Sequence, residues 1–299
     1  MKLLLLILIS IFPFFTTHAH KIFILQSVNN ASLDNAVLGI KDYLNSQKIT
    51  NVQVQSALGQ ASFAKNVAQN LIDIKPDIVV AVGTLGTQTL GEFSSSGIRM
   101  VFDSVQDPIS TAAVKFHTGT FCNILVKDQL SYFKTIVPKL YRVGILYDKS
   151  DIKYLKKIDE ACKEIGLDLI KNAATTIDEM KEAINIFKER KCDAIFIYNN
   201  SLDASVINLV ITKASEYKIM ILSNNLEDVA SGALAAMGCE EYVLGKKTGE
   251  IICNILNGDD DTKVYSAMNI IKSINMRVAK ALNIPIDPIS LKKIQQVVN

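Results

Sequence analysis

Short apolar runs rich in β-branched residues alternate with segments of helical periodicity along most of the chain. The runs at 21–28, 78–82, 99–103, 142–147 and 193–197 are almost unbroken. Such runs are typical of strands buried on both faces of a parallel sheet. The segments between them carry apolar residues at helical spacing, with polar residues on the opposite face. This alternation predicts an α/β protein with parallel, doubly wound sheets.

The alternation occurs twice, which predicts two similar α/β lobes rather than one continuous sheet. The first set of strands and helices ends near Asp107-Pro108, and a second set follows from about Thr120. Ligands of open α/β sheets bind at the carboxyl ends of the strands. We therefore expect the strand ends of the two lobes to face each other across a ligand-binding cleft.

The first 19 residues follow a different pattern. Lys2 precedes an apolar run at 3–15, and Thr17-His18-Ala19 matches a small-x-small cleavage site. These features predict a cleaved signal peptide at 1–19 and a periplasmic mature protein that begins at His20. An uncleaved anchor is the alternative, but the apolar run is shorter than the ~20 residues that a membrane span needs.

Charge and cysteine content exclude several classes of protein. The net charge of +2 provides no basic surface for nucleic acid. The five cysteines are odd in number and form no CxxC pair, so we expect mostly buried thiols, with a single disulfide left open. No His, Cys and Asp set has zinc spacing, and the run 259–261 lacks the alternating acidic residues of a calcium loop. We expect neither a metal nor a cofactor.

A Gly/Thr turn follows the apolar run 78–82 and leads directly into a helical segment. The residues of this turn are Gly83-Thr84-Leu85-Gly86-Thr87. Free N–H groups and the positive end of the helix dipole make such a turn a site for an anion. The alternative is that Thr84 only caps its helix.

Polar turns follow other strands at the same predicted sheet edges. Together they define a candidate ligand site of Asn29, Thr84, Gly86, Thr87, Asp107, Tyr198, Asn199, Asn200, Asn224 and Glu227. The alternative for Asp107 is that it only caps an Asp-Pro turn.

Catalytic residues are scarce, so we predict a protein that is not an enzyme and has no catalytic residues. The chain has no G-x-S-x-G motif, and His117 is its one internal histidine outside the leader and the new terminus. A hydrolase is the rival class, because α/β sheets carry many enzymes. A third class is a periplasmic sensor or adaptor with the same fold.

Several segments together resemble one family. The chain is similar to the ABC-transporter substrate-binding proteins of the tryptophan/tyrosine-type uptake family, which have the type I periplasmic-binding fold. The resemblance rests on LDNAVLGIKDYL (33–44), KPDIVVAVGTLGTQTL (75–90), VFDSVQDP (101–108), RVGILYDKS (142–150), CDAIFIYNNSLDASV (192–206), SGALAAMGCEEYVLGKKTGE (231–250) and INMRVAKALNIPI (274–286).

The resemblance implies an extracytoplasmic receptor, and we expect it to be monomeric. Its small-molecule ligand would be an amino acid, typically aromatic or apolar, which it delivers to an ABC permease in the membrane. The carboxylate of such a ligand would bind the turn at 83–87, and its ammonium group would pair with Asp107, with Glu227 in reserve. The chain departs from the family pattern in two places. Asn199 stands where the family often has an acidic residue, which puts an ammonium partner in question, and the turn at 116–120 after the first lobe is altered.

We expect lobe 1 to contain 20–117 plus 228–264 and lobe 2 to contain 118–227 plus 265–299. The hinge crossings would then fall near 116–120, 222–227 and 264–270.

Overall fold

The computed structural model describes residues 20–105, 108, 113–116, 118–147, 152–198, 202–259, 263–267 and 269–299. The leader at 1–19 and four residues that carried predictions, Asp107, His117, Asn199 and Asn200, lie outside the described residues. Within the described part of the chain, no helix is both long enough and apolar enough to span a bilayer.

Thirteen strands and eleven α-helices are assigned within the described residues. The strands are β1 (Ile22–Gln26), β2 (Val52–Ser56), β3 (Ile78–Val82), β4 (Arg99–Val105), β5 (Thr118–Phe121), β6 (Arg142–Tyr147), β7 (Asp168–Ala173), β8 (Ala194–Ile197), β9 (Met220–Ser223), β10 (Ala235–Cys239), β11 (Val264–Ser266), β12 (Ile270–Asn275) and β13 (Gln296–Val298). The helices are α1 (Ala31–Ser46), α2 (Ala61–Asp73), α3 (Thr84–Gly91), α4 (Val126–Ile136), α5 (Ile152–Ile165), α6 (Ile177–Glu189), α7 (Ala204–Glu216), α8 (Glu227–Ser231), α9 (Glu241–Leu256), α10 (Met276–Ala281) and α11 (Pro288–Leu291).

The strands form two sheets, which confirms the predicted α/β fold with two lobes. The first sheet has the order β11-β5-β4-β3-β1-β2, and all of its paired strands are parallel. The second has the order β13-β12-β10-β9-β8-β6-β7. It is parallel except between β10 and β12. Each sheet has a buried apolar cluster on either face, as expected for strands covered by helices on both sides.

Sheet membership corrects the expected lobe boundaries. β5 pairs with β4 in the first sheet, whereas β10 pairs with β9 in the second. The chain therefore crosses between lobes after β5, between β10 and α9, and between β11 and β12. The crossing expected at 222–227 is absent from the described chain, because β9 and β10 belong to one sheet with α8 between them. An apolar run predicts a buried strand, but it does not indicate which sheet the strand joins.

A disulfide connects two of these crossings. Cys122, just after β5, is bonded to Cys239 at the end of β10. Cys162, Cys192 and Cys253 are buried free thiols, as the apolar surroundings of most cysteines had predicted. The sequence had left a single bridge open, and the fold supplies its pairing by bringing two distant crossings together.

The start of α1 is capped by Asn30. Its side-chain oxygen accepts from the Leu33 N–H at 2.9 Å. Asn is at least as good a helix cap as Ser. Ser32 lies inside the first turn and is buried. The side chain of Asn30 is thereby held at the lobe boundary.

Candidate functional site

A cavity of about 500 Å³ lies between the lobes, at the carboxyl ends of both sheets. From the first lobe it is lined by residues that follow β1 and β3, including Ser27, Thr84 and Leu85. From the second lobe it is lined by residues at the ends of β6 and β8, including Tyr147 and Tyr198. This is the cleft that the two-lobe pattern predicted, and its volume suits a small organic molecule.

The turn between β3 and α3 is held rigidly by backbone geometry and by Ser27. Gly83 has a φ of 85°, and a Cβ on this residue would lie 2.7 Å from Ser27 Oγ. Ser27 Oγ donates to the Val82 carbonyl at 2.8 Å and accepts from the Gly86 N–H at 2.8 Å. Only glycine fits both the positive φ and the space at position 83. The turn therefore presents the start of α3 to the cleft in one orientation.

Three of the predicted site residues belong to this turn, and they have different roles. Thr84 is the first residue of α3 and lines the cleft, while Gly83 occupies the cap position, so Thr84 does not cap the helix. The Gly86 N–H is already bonded to Ser27. Thr87 is fully buried, and its hydroxyl donates to the Gly83 carbonyl at 2.8 Å. The Gly86 N–H and the Thr87 hydroxyl are thus engaged within the turn, and contact of these two residues with a ligand stays a prediction.

Tyr198 and Asn224 lie at the carboxyl ends of the second sheet, as expected. Tyr198 lines the cleft and packs against Phe196 with 5.4 Å between ring centroids. Asn224 follows β9 and lines a smaller cavity at the hinge, which Tyr198 also lines. The structure therefore brings these two predicted residues together with the end of β4, through Ser104.

Hydrogen bonds join the two lobes beside the cleft, and two predicted residues take part in them. The Asn29 carbonyl accepts from the Ala204 N–H at 3.2 Å, and Asn30 Nδ2 donates to the Leu202 carbonyl at 3.1 Å. Glu227 Oε1 accepts from Asn35 Nδ2 at 3.1 Å. Asn29 and Glu227 therefore contact the opposite lobe directly, a role that reasoning from sequence had not assigned to them.

Sequence reasoning missed a buried pair of carboxyl groups at the hinge. Glu241 is 6% exposed, and its Oε2 accepts from Ser104 Oγ at 2.5 Å. Asp103 is fully buried, and its Oδ1 accepts from Thr120 Oγ1 at 2.5 Å. Glu241 shares the buried face of α9 with Leu244, Gly245 and Thr248 at helical spacing. This spacing is the feature of the sequence that could have predicted the burial of Glu241.

Burial sets the ionisation of this pair. It raises the pKa of Glu241 to about 8, against the lowering effect of the Ser104 hydrogen bond, and the nearby Asp103 and Glu227 raise it further. Burial also raises the pKa of Asp103 to about 6, although the hydrogen bond from Thr120 lowers it. At neutral pH Glu241 is therefore mostly neutral in the unliganded protein.

We expect the unliganded protein to lose stability as the pH rises from 6 to 8. The folded state keeps a proton on Glu241 that the unfolded state releases near its ordinary pKa of 4.5. The free energy of unfolding should therefore fall by on the order of 2 kcal/mol over this range. Urea unfolding at pH 6 and pH 8 measures the change.

Glu241→Gln should remove most of this pH dependence. The matched control is Glu240→Gln, because Glu240 is the adjacent, exposed residue and makes no side-chain cap bond to α9. The control should retain the wild-type slope. A wild-type stability that stays flat between pH 6 and pH 8 would contradict the assignment.

Comparison with known proteins finds a matching family and similar relatives. The family described as ABC transporter substrate binding protein matches residues 21–298. A tyrosine-binding protein of Clostridioides difficile (strain R20291) is 25% identical over 285 residues, which cover 87% of this chain and 82% of the relative.

Two solved structures are similar over almost the whole chain. One is the ABC domain from Streptococcus pneumoniae in complex with L-Trp, with 25% identity, a TM-score of 0.84, and coverage of 93% of this chain and 100% of that one. The other is the ligand-free, open structure of a substrate-binding protein with adhesive properties from Clostridium difficile. It has 25% identity, a TM-score of 0.66, and coverage of 94% and 99%.

The family match covers almost all of the described chain, and the two parallel-dominated sheets with a cleft between them have the type I periplasmic-binding architecture. The family is one of substrate-binding receptors rather than enzymes. This protein belongs to the ABC transporter substrate-binding protein family.

Proposed function

We propose that this protein captures an aromatic or apolar α-amino acid in the cleft between its lobes and delivers it to an ABC permease. The observation that carries the proposal is the composition of the 500 Å³ cleft. A helix N-terminus that carries the Thr84 hydroxyl lies on one side of the cleft, and apolar and aromatic side chains lie on the other.

The start of α3 is the proposed carboxylate site. Of its first four N–H groups, Gly86 bonds Ser27 and Thr87 bonds the Gly83 carbonyl. The N–H groups of Thr84 and Leu85 precede them, and both residues line the cleft. Two N–H groups, the Thr84 hydroxyl and the positive helix end favour an anion.

The second lobe supplies the proposed side-chain pocket. Leu146, Met180 and Phe196 line the cleft with Tyr147 and Tyr198. Burial of an aromatic side chain against such surfaces is strongly favourable because it removes a large apolar area from water. Polar ligands such as free sugars would leave this wall unmatched.

The relatives support both the ligand class and a closed arrangement of the lobes. One relative is named a tyrosine-binding protein, and one neighbour contains L-Trp. At equal identity, the TM-score is 0.84 with the L-Trp complex and 0.66 with the open, ligand-free structure. This difference supports an arrangement of lobes like that of a ligand-bound receptor, held by the hydrogen bonds between Asn30 and Leu202 and between Asn35 and Glu227.

Thermal-shift and calorimetric titrations with L-tyrosine, L-tryptophan, L-phenylalanine and L-leucine test the proposal, with ribose and myo-inositol as comparison ligands. A ligand at 100 times its Kd should stabilise the protein by about 2.7 kcal/mol. Binding of the sugars without any of the amino acids would overturn the assignment of ligand class.

Thr84→Val should weaken amino-acid binding by about tenfold or more, since a hydrogen bond to a charged group contributes roughly 1.5–3 kcal/mol. Valine keeps the shape of threonine and removes the hydroxyl. The matched control is Thr135→Val, because Thr135 is an exposed threonine of α4 whose hydroxyl bonds the Ser131 carbonyl. Unchanged affinity in Thr84→Val would remove this residue from the site.

The cellular location, the oligomeric state and the lack of enzymatic activity are part of the same proposal. The leader predicts export and a mature N-terminus at His20, which mass spectrometry of the secreted protein tests. We propose a monomer without enzymatic activity, and light scattering after gel filtration measures the mass. Loss of amino-acid uptake on deletion of the receptor, restored by the wild type, tests delivery to a permease and separates transport from a sensing role.

A further inference from the structure

The hinge cavity beside the cleft, of about 30 Å³, has a polar lining that the carboxylate site does not use. Gln129, Asn224 and Glu241 line it together with Ser104 and Tyr198. The volume is enough for a group the size of one or two water molecules. It therefore fits a small polar group rather than a whole ligand.

Buried acceptor atoms without donors surround this cavity. Gln129 is 3% exposed, and its Nε2 donates to the Met237 carbonyl at 2.9 Å. Its Oε1 and the Asn224 Oδ1 are buried and have no hydrogen-bond partner among the described residues. The Asn225 side-chain NH2 is the donor group on the same lining that also has no partner within the described chain. Buried polar groups are nearly always bonded, so the cavity is incomplete without an occupant that donates.

The charge at the cavity favours a cation over a neutral donor. Glu241 and the adjacent Asp103 are both buried, and Asp103 Oδ2 has no partner within the described chain. No Lys or Arg forms an ion pair with either carboxyl group among the described residues. A buried carboxylate is stabilised by a nearby positive charge, and the described residues place none beside these two groups.

A metal ion fits this lining less well than an ammonium group. Within the described ranges, no group of three or more His, Cys, Asp or Glu residues is placed to hold a metal. An ammonium group donates three hydrogen bonds. The Glu241 carboxyl, Gln129 Oε1 and Asn224 Oδ1 provide three acceptors on the same cavity.

The cavity also lies next to the proposed carboxylate site. In the sheet, Val82 of β3 is paired with Asp103 of β4. Gly83, which follows β3, and Ser104, near the end of β4, therefore lie side by side on neighbouring strands about 4.8 Å apart. Tyr198 lines both the cleft and the small cavity. In an α-amino acid one carbon carries both charged groups, so a carboxylate site and an ammonium site must be neighbours. The start of α3 and the hinge cavity meet this requirement.

We propose that the hinge cavity receives the α-ammonium group of the ligand, with Glu241 as its counter-charge and Gln129 Oε1 and Asn224 Oδ1 as further acceptors. This rests on the proposed function, since it assumes an amino-acid ligand. It assigns the ammonium to Glu241 in place of the Asp107 or Glu227 of the sequence-based hypothesis. Glu227 already accepts from Asn35 across the lobes.

The proposal predicts that ligand binding releases a proton. Burial holds the pKa of Glu241 at about 8 in the unliganded protein, while Asp103 and Glu227 face it and raise it further. An adjacent ammonium lowers the pKa of a carboxyl group, so binding should release close to one proton at pH 6.5. Titration calorimetry in two buffers of different ionisation enthalpy counts that proton.

The binding test compares each amino acid with its amine-free analogue. The probes are L-tyrosine with 3-(4-hydroxyphenyl)propionate and L-tryptophan with indole-3-propionate. Glu241→Gln should weaken binding of the amino acid by about ten- to a hundredfold, abolish proton release, and leave the affinity for the analogue within about twofold. The matched control Glu240→Gln should leave all three readouts at the wild-type values.

A second variant keeps the test decisive if Glu241→Gln folds poorly. Asn224→Ala should weaken binding of the amino acid severalfold and spare the analogue. Equal losses for amino acid and analogue, or no loss for either, would overturn the ammonium site while amino-acid binding by the wild type upheld the proposed function. Stabilisation of the unliganded wild type, but not of Glu241→Gln, by sodium over choline chloride would assign the cavity to a metal cation and also overturn it.

Discussion

Replacing Cys122 and Cys239 with alanine should lower the free energy of unfolding by about 4–5 kcal/mol, the expectation for a cross-link closing a loop of ~100 residues. The bonded cysteines are 117 residues apart in sequence, so the bridge restricts a large part of the unfolded chain. It also joins two crossings, so the variant should bind ligand more weakly because its lobes are less restricted. Thermal unfolding and ligand titration measure the two effects.

Cys253→Ala is the matched control for this prediction. Cys253 is a buried free thiol of α9, so its replacement removes a small apolar group and no cross-link. We expect a loss of only about 1 kcal/mol for the control. If the double variant is no less stable than the control, the disulfide contributes nothing to folding in solution.

Gly245→Ala should destabilise the protein, although alanine is the better helix former. Helix propensity alone would stabilise α9 by about 1 kcal/mol. In the structure a Cβ at position 245 would lie 2.0 Å from the Ala36 carbonyl oxygen of α1, and one at Gly39 would lie 2.1 Å from the Tyr242 carbonyl oxygen. Backbone atoms cannot yield as a side chain would, so the two helices must separate, at a cost of about 3 kcal/mol or more.

The separation of α1 and α9 should also affect binding. Helix α9 carries Glu241 at its start. Asn30, the cap of α1, and Asn35 within α1 bond the other lobe. We therefore expect weaker amino-acid binding together with the loss of stability. Lys246→Ala, on the exposed face of α9, is the control and should change neither quantity much. A stabilised Gly245→Ala would show that the helices are not in close contact.

The sequence by itself determined the α/β class, the two lobes and most of the elements. Continuous apolar runs such as 78–82 need burial on both faces, and helical spacing needs one buried face, so both patterns carry their own structural requirement. It also determined that polar turns such as the one at Gly83 lie at strand ends, where a parallel sheet binds ligands. These features are local, or depend on periodicity along a single segment.

Only the tertiary structure decided which sheet each strand joins and which polar groups meet. The sequence of β10 is that of a buried strand and fits either lobe. Its pairing with β9 shows that the chain crosses between lobes after β10, not at 222–227 as the pattern had predicted. The partners of Cys122 and Glu241 are more than a hundred residues away in sequence. Thr84 and Thr87 are the same residue type in the same turn, yet Thr87 is fully buried. Burial, pairing and pKa shifts depend on neighbours in space, and no periodicity within one segment records them.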